Sequence, residues 1–233
     1  MAKLLTTDEP LWVACRQREL RVYRTFARFP PPCPVPDLLY ANEHLTVLSL
    51  LPGERLGPDR HLTSDVPAST AAAVLRTLAC LRDWSPPEDL DEPIPDYAAR
   101  IDAAGLGTAV HERLAAAGPG RVVAHGDPIP PNLLVDGEMC HAVDFEFCGR
   151  YLPGHDLAVL YTVSATAAPT LAAAILAEAT RGPIADGFAV SLTLQLHRER
   201  RMHEALPPSP LRTRRLAAIA ATSRLAAPLW GGA

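Results

Sequence analysis

The sequence is poor in aromatic residues and lacks a long apolar run, and we expect no secretory leader. Only 6% of its 233 residues are aromatic, so Leu, Val and Ala are expected to fill the core. No apolar run reaches the roughly 18 residues of a membrane span. The first ten residues contain no long apolar segment of the kind that signal peptides carry. We therefore expect a cytoplasmic protein with no membrane partner.

Cysteine usage excludes two further classes of protein. The five cysteines are odd in number and widely spaced, and no C-x-x-C pair occurs. They are Cys15, Cys33, Cys80, Cys140 and Cys148. This pattern supports neither a zinc ribbon nor a disulfide framework. It predicts reduced thiols, several of them buried.

The charge balance argues against a nucleic-acid partner. There are 22 Lys and Arg against 26 Asp and Glu, which gives a formal charge of −4. Binding to phosphate backbones through bulk charge requires a basic surface, which this balance does not favour. With 48% hydrophobic and 21% charged residues, the chain has the composition of a folded globular protein.

Proline is in excess and marks the boundaries between predicted elements. The chain has 24 prolines, and clusters lie at 30–36, 86–95, 128–131 and 207–210. Proline lacks an amide N–H and disfavours helix at the residue before it, so these clusters interrupt regular structure.

Periodicity between the clusters predicts an α+β chain. The predicted helices are 8–29, 69–84 and 97–117, the last of them broken near Gly105 and Gly107, followed by three or four helices after residue 156 that include 184–206 and 211–225. The predicted strands are 37–40, 45–51, 122–124, 133–135 and 142–143. Because strands and helices do not alternate regularly, a doubly wound parallel sheet is not expected.

Residues 124–146 concentrate the side chains suited to catalysis. A short strand leads into a proline-stiffened loop that carries Asp127, and Asn132 follows five residues later. A hairpin then returns the chain to Asp144, which should approach both of these residues. Carboxylate and amide oxygens suit Mg²⁺ that carries a phosphate. A further acid beside the metal could orient a hydroxyl nucleophile.

The pattern His-Gly-Asp-x-x-x-x-Asn at 125–132, followed by Asp-Phe-Glu at 144–146, resembles the catalytic core of the aminoglycoside phosphotransferase family, relatives of the protein kinases. The resemblance implies that Asp127 accepts the proton of a substrate hydroxyl. It also implies that Asn132 and Asp144 bind Mg²⁺.

Neighbouring positions follow the same resemblance. It implies that His125 braces the catalytic loop and that Asp156, in Gly-His-Asp-Leu-Ala, is mainly structural. Gly126 and Glu146 stand where protein kinases have Arg and Gly. Both replacements are typical of small-molecule kinases in this family rather than of regulated protein kinases.

Residues 18–24 resemble the first long helix of the family, whose glutamate pairs with a lysine on a strand. The resemblance implies that Glu19 pairs with Lys3 and that Lys3 neutralises phosphate charge on ATP. It further implies that residues 48–54 form the hinge that receives adenine.

As a whole, the resemblance implies an α+β, protein-kinase-like fold with two lobes. A reduced N-terminal nucleotide-binding lobe would span residues 1–52, and a mostly helical catalytic and substrate-binding lobe would span 53–233. The expected reaction is ATP- and Mg²⁺-dependent phosphorylation of a hydroxyl on an aminoglycoside-like antibiotic, an amino alcohol, a sugar or a related metabolite.

One part of the family pattern is missing from the sequence. Kinases of this type begin with a hairpin whose glycine-rich loop covers the ATP phosphates, whereas only two residues precede Lys3 and no G-x-G-x-x-G occurs. A late start codon, a truncated gene and nucleotide binding without this loop are the alternatives. A non-catalytic, kinase-like binding protein is a second hypothesis that follows from the same gap.

Two other hypotheses concern histidine and glutamate. His125, His141 and His155 with neighbouring aspartates could form the metal cluster of a phosphohydrolase. The run 197–204 is interpreted as a solvated helix face, and the alternative is that Glu199 or Glu204 lines the site of a cationic substrate.

Overall fold

The computed structural model describes residues 1–87, 90–180 and 182–227, and it confirms the α+β class. The helices are α1 (Pro10–Arg28), α2 (Ala68–Asp83), α3 (Tyr97–Ala103), α4 (Thr108–Ala117), α5 (His155–Ser164), α6 (Pro169–Ala179), α7 (Ala185–Glu204) and α8 (Pro210–Ala226). The strands are β1 (Ala2–Leu4), β2 (Leu38–Ala41), β3 (Leu45–Leu48), β4 (Glu54–Arg55), β5 (Val122–Ala124), β6 (Leu133–Asp136), β7 (Met139–Ala142) and β8 (Gly149–Tyr151).

The break predicted within residues 97–117 is confirmed, and glycine causes it. The chain leaves α3 at Gly105, which has φ +65°, a conformation that residues with a Cβ rarely adopt. Gly107 then forms the N-cap of α4 in an extended conformation. The two glycines thus divide one periodic segment into two short helices.

The chain forms two compact units, each built from several segments. The first unit comprises residues 1–60, 68–93 and 122–151, and the second comprises 61–67, 94–121 and the segment from 152 onward, within the described ranges. The lobe boundary after residue 52 remains a prediction.

In the described part of the first unit the strands form three small antiparallel sheets, ordered β1-β3-β2, β4-β6-β7 and β5-β8. The sequence predicts neither β4 nor β8. Both residues of β4 are exposed, so no apolar alternation marks it. In β8, Gly149 is required by packing, because a Cβ there would lie 2.5 Å from the backbone oxygen of Asp91.

An aromatic cluster lies at the centre of the first unit, although aromatic residues are scarce in the chain. The ring centroids of Phe26 and Phe145 are 4.9 Å apart, and Trp84 lies 5.3 Å from Phe26. Tyr23 meets Phe145 edge-on at 5.8 Å. Phe145 is fully buried. This packing fixes the chain at the residue next to Asp144.

The second unit is helical and is organised around α5 and α7. All ten residues of α5 are buried, including Asp156 in its first turn, where a carboxylate suits the helix dipole. Two glycines allow α7 to approach the segment before α5. A Cβ on Gly187 would lie 2.3 Å from the Pro153 carbonyl oxygen, and one on Gly154 would lie 2.8 Å from Phe188. None of the helices in the described ranges has both the length and the hydropathy that crossing a bilayer requires.

All five cysteines lie in the described ranges, none of them forms a disulfide, and four are buried. Burial raises the pKa of the Cys33 and Cys140 thiols to about 12. These thiols therefore behave as small apolar side chains, as the sequence predicts.

Candidate active site

The hairpin of β6 and β7 places Asn132 and Asp144 at the same end of a sheet. Leu133 pairs with Ala142, and the Val143 amide donates a hydrogen bond of 3.0 Å to the carbonyl oxygen of Asn132. Val143 immediately precedes Asp144, so the approach of Asp144 to Asn132 that the hairpin predicts is confirmed. The second strand ends one residue earlier than expected.

The side chain of Asn132 is held in one orientation. Its side-chain Nδ2 donates to the backbone oxygen of Asp127 at 3.0 Å. The backbone N–H of Asn132 donates to the carbonyl oxygen of Ile129 at 2.9 Å. Because the amide nitrogen is engaged with Asp127, Oδ1 is the atom left to accept a cation. The amide oxygen of Asn132 and the carboxylate of Asp144 are the hard donors that Mg²⁺ prefers, so this pair fits the ion.

His125 connects the loop that carries Asp127 to Val143, the residue after β7. Its ring is fully buried, and Nε2 lies 2.9 Å from the carbonyl oxygen of Val143. Since a carbonyl only accepts, Nε2 carries the proton, and Nδ1 accepts the amide of Asp127 at 3.3 Å. His125 thus contacts the backbone on both sides of the site, which is the bracing that the resemblance implies.

Gly126 cannot be replaced by the arginine of protein kinases, for a backbone reason. Its φ is +87°, and a Cβ would lie 2.1 Å from the Phe147 carbonyl oxygen, well inside contact distance. Tyr151 Oη donates to the same oxygen at 2.7 Å and holds it in place. The departure from the protein-kinase pattern is therefore built into the local chain path.

Asp144 has a left-handed backbone, with φ +70° and ψ +63°. Among the described residues it is the one non-glycine residue with positive φ. This conformation costs about 1–2 kcal/mol for a residue with a Cβ, and the packing of Phe145 offsets it. Such strain is common where a side chain must be aimed at a ligand.

Lys3 brings the first strand to this carboxylate. On β1, Lys3 pairs with Thr46 of β3, and its Nζ lies 2.7 Å from Glu19 Oε1 and also contacts Asp144 Oδ1. Burial by itself lowers the pKa of Lys3, but the charges of Glu19 and Asp144 outweigh it, and the pKa is raised above its usual value. Lys3 is therefore a firmly charged cation between two acids.

Glu19 is buried in the middle of α1, at 3% exposure. Burial raises the pKa of its carboxyl group, and the charge of Lys3 opposes that rise. The Lys3–Glu19 pair that the resemblance implies is therefore present.

Arg60 contacts the carboxylate of Asp127, and the sequence motifs do not predict this contact. Its Nη1 lies 3.2 Å from Asp127 Oδ1. Arg60 belongs to an irregular segment between β4 and α2, where no periodicity or motif distinguishes it. No local signal in the sequence could have found this contact.

Glu146 adds a further acid near Asp144. It is half-buried, and burial, followed by the charge of Asp144, raises the pKa of its carboxyl group to about 7. A cavity of about 310 Å³ borders Lys3, Glu19 and Glu146 within the first unit. A charged, partly enclosed cavity of this size can accept part of a polar ligand.

The segment predicted to receive adenine, residues 48–54, runs from the last residue of β3 to the first residue of β4. Its start is fixed by Ser49, whose amide donates to the Asp37 carbonyl oxygen at 2.9 Å. Near its end, Gly53 has φ +107°, and a Cβ there would lie 2.8 Å from Val135. Its role as a hinge remains a prediction.

Residues 4–189 match the model of the phosphotransferase enzyme family, described as APH. That match spans more than half of the chain. The chain belongs to the phosphotransferase enzyme family.

Several solved structures share this fold. Macrolide 2'-phosphotransferase MphH from Brachybacterium faecium is 19% identical over 98% of this chain and 76% of its own, with a TM-score of 0.51. A choline/ethanolamine kinase family protein from Mesorhizobium loti is 20% identical over 91% of this phosphotransferase and 80% of its own chain, with a TM-score of 0.60. Choline kinase LicA from Streptococcus pneumoniae is 13% identical over 96% of this phosphotransferase and 85% of its own chain, with a TM-score of 0.59. No curated protein matches the phosphotransferase.

The family and the kinase-like fold predicted from the catalytic motif are therefore confirmed. The three-histidine cluster of a phosphohydrolase is not found among the described residues. The group there that could hold a metal is a different one, formed by His61, Glu199 and His203. Glu199 is 1% exposed, so it does not line an open surface, whereas Glu204 is exposed.

Proposed function

We propose that this phosphotransferase uses Mg-ATP to phosphorylate a hydroxyl group on a small molecule. The observation that carries the proposal is the position of Lys3, whose ammonium group contacts both Glu19 and Asp144. That contact joins the lysine expected to bind phosphate to the aspartate expected to bind metal. The cavity beside Lys3 supports the same use, because it is open to a charged ligand.

On the nucleotide side, Glu19 would fix Lys3 so that its charge faces a phosphate group. Asn132 Oδ1 and the Asp144 carboxylate would hold Mg²⁺. The ion, when bound, supplies positive charge that stabilises the transferring phosphoryl group.

On the acceptor side, Asp127 would accept a hydrogen bond from the substrate hydroxyl and take its proton. Arg60 contacts Oδ1 of Asp127, which leaves Oδ2 for the acceptor. Asn132 Nδ2 donates a hydrogen bond to the Asp127 carbonyl oxygen, and the Asp127 amide donates one to His125 Nδ1; these two bonds would keep the carboxylate of Asp127 in place. Positioning and electrostatics then account for the catalysis, and no covalent enzyme intermediate is needed.

For the acceptor we propose a small hydroxylated compound: an aminoglycoside-like antibiotic, an amino alcohol, a sugar or a related metabolite. Similar structures include a macrolide 2'-phosphotransferase, a choline kinase and an aminopropanol kinase, and macrolides, choline and aminopropanol all carry hydroxyl groups. A panel drawn from these classes is the appropriate first screen.

Calorimetric titration with Mg-ATP tests the nucleotide part of the proposal. The native chain should bind, and Asp144→Ala should lose binding. Asp136→Ala is a matched control, since this aspartate is exposed on the same hairpin and should leave binding unchanged. Absence of binding by the native chain at millimolar Mg-ATP would contradict the proposal. Binding without turnover across the acceptor panel would favour the non-catalytic, kinase-like alternative.

A further inference from the structure

The second unit contains a compact group of three side chains that the proposed phosphotransfer does not use. His61 lies in the segment 61–67, and Glu199 and His203 lie one turn apart on α7. His61 Nε2 and His203 Nε2 are each 3.6 Å from Glu199 Oε2. One ligand atom from each residue lies within 4.8 Å of the others.

These distances are too long for hydrogen bonds and suit a shared ion. Hydrogen bonds of this type normally span about 2.7–3.2 Å. Ligands of a tetrahedral zinc ion, each about 2.1 Å from the metal, lie about 3.4 Å from one another. The observed separations of 3.6 Å are close to that spacing. The two imidazole rings are inclined at 55° with centroids 6.2 Å apart, so they converge on the carboxylate and do not stack.

Burial strengthens the case. His61 is 6% exposed, and its Nε2 has no hydrogen-bond partner among the described residues. Glu199 is 1% exposed. A buried imidazole nitrogen without a partner costs free energy. A divalent cation would satisfy His61 Nε2 and would be attracted by the nearby carboxylate of Glu199.

The surrounding fold holds the three ligands before any ion binds. Leu62, next to His61, donates its amide to the Val163 carbonyl oxygen of α5 at 3.0 Å, and α5 packs against α7. At the other end of the segment, Asp65 accepts the amide of Thr170 at 3.0 Å. The spacing of four residues between Glu199 and His203 puts both on one face of α7, as in helix-borne metal sites.

We propose that His61, Glu199 and His203 form a binding site for a divalent transition-metal ion of the zinc class, with water as the fourth ligand. Two imidazoles and one carboxylate favour such ions over Mg²⁺, which prefers oxygen ligands alone. The ion would join the segment 61–67 to α7 within the second unit. This site shares no residue with the Asn132 and Asp144 pair, and it prefers a different class of metal ion.

Zinc titration of the chelator-treated, tag-free protein tests this site without ATP or an acceptor. Competition with a chromophoric chelator should show one zinc ion per chain. Co²⁺ should give the ligand-field spectrum of four-coordinate cobalt. Glu199→Gln and His203→Gln should each weaken zinc binding at least about tenfold, since even an outer-shell change has effects of about 10- to 100-fold. His197→Gln, on the same helix but outside the group, should bind zinc as the native chain does.

His61→Asn removes a ligand from an irregular segment and leaves α7 unchanged. If the helix variants do not fold, this variant tests the site, and it should weaken zinc binding in the same way. X-ray absorption spectroscopy of the native zinc-bound protein identifies the ligands of the ion directly, and it should show two imidazoles and one carboxylate. Failure of the native chain to bind zinc, or binding that survives loss of these ligands, would overturn the proposal. The proposed phosphotransfer would stand in either case.

Discussion

Lys3 Nζ lies 2.7 Å from Glu19 Oε1, and this contact joins β1 to the middle of α1. The same ammonium group reaches Asp144, which follows the β6–β7 hairpin. One cation thus links three segments that are far apart in the sequence. It places the charge expected to meet phosphate beside the carboxylate expected to meet metal.

Lys3→Met should weaken Mg-ATP binding at least about tenfold, since a charge-assisted contact contributes about 1.5–3 kcal/mol. It should also lower the free energy of unfolding by about 1–3 kcal/mol, because the buried Glu19 loses its cation. The double variant Lys3→Met/Glu19→Gln should recover stability in urea unfolding without recovering nucleotide binding. Recovery of both would assign Lys3 a structural role only.

Gly126→Ala should destabilise the fold by about 3 kcal/mol or more, because the new Cβ would overlap the Phe147 carbonyl oxygen. Gly137→Ala provides the matched control. Gly137 also has positive φ, +59°, but open space surrounds it, so only about 1 kcal/mol should be lost. Thermal or urea unfolding measures both variants, and equal losses would argue against the tight contact at Gly126.

Arg60→Gln should impair use of the acceptor and spare nucleotide binding. Arg60 contacts the carboxylate of Asp127, so its loss should reduce kcat/KM for the acceptor about tenfold. Calorimetry should show an unchanged Kd for Mg-ATP. Arg55→Gln, at an exposed arginine of β4, should leave both quantities at the native level. Loss of ATP binding in Arg60→Gln would contradict the placement of this arginine on the acceptor side.

Alkylation should distinguish the cysteines of the folded chain. The raised pKa of the Cys33 and Cys140 thiols keeps them protonated below about pH 12, and both are buried. Iodoacetamide near pH 8 should therefore modify the half-buried Cys80 first and reach the other two only after unfolding. Peptide mass spectrometry reads the order of labelling, and Cys80→Ser should leave the native protein largely unlabelled. Rapid labelling of Cys140 would contradict its burial.

Much of the candidate site could be predicted because its residues follow one another closely along the chain. The spacing of Asp127, Asn132 and Asp144 within one loop and one hairpin is local information, and the hairpin brings Asn132 next to Val143, the residue before Asp144. The long helices α1, α2 and α7 were predictable for a similar reason, since each buries one face over many residues.

The parts that escaped prediction depend on contacts between distant segments. Arg60 meets Asp127 across 67 positions, and the left-handed backbone of Asp144 is fixed by the packing of Phe145. His61 and Glu199 likewise come together through the packing of α5 and α7 and of the segment 61–67. The arginines around Glu199 led to the prediction of a solvated helix face, whereas the side chain of Glu199 is buried.

The most direct test of the central claim is transfer of phosphate itself. Mass spectrometry of an acceptor panel incubated with the native chain, Mg²⁺ and ATP should reveal an acceptor that gains one phosphate group. Asp127→Asn should abolish that gain while calorimetry shows ATP binding retained. Equal phosphorylation by the native chain and Asp127→Asn would contradict the role assigned to Asp127 and, with it, the account of this site.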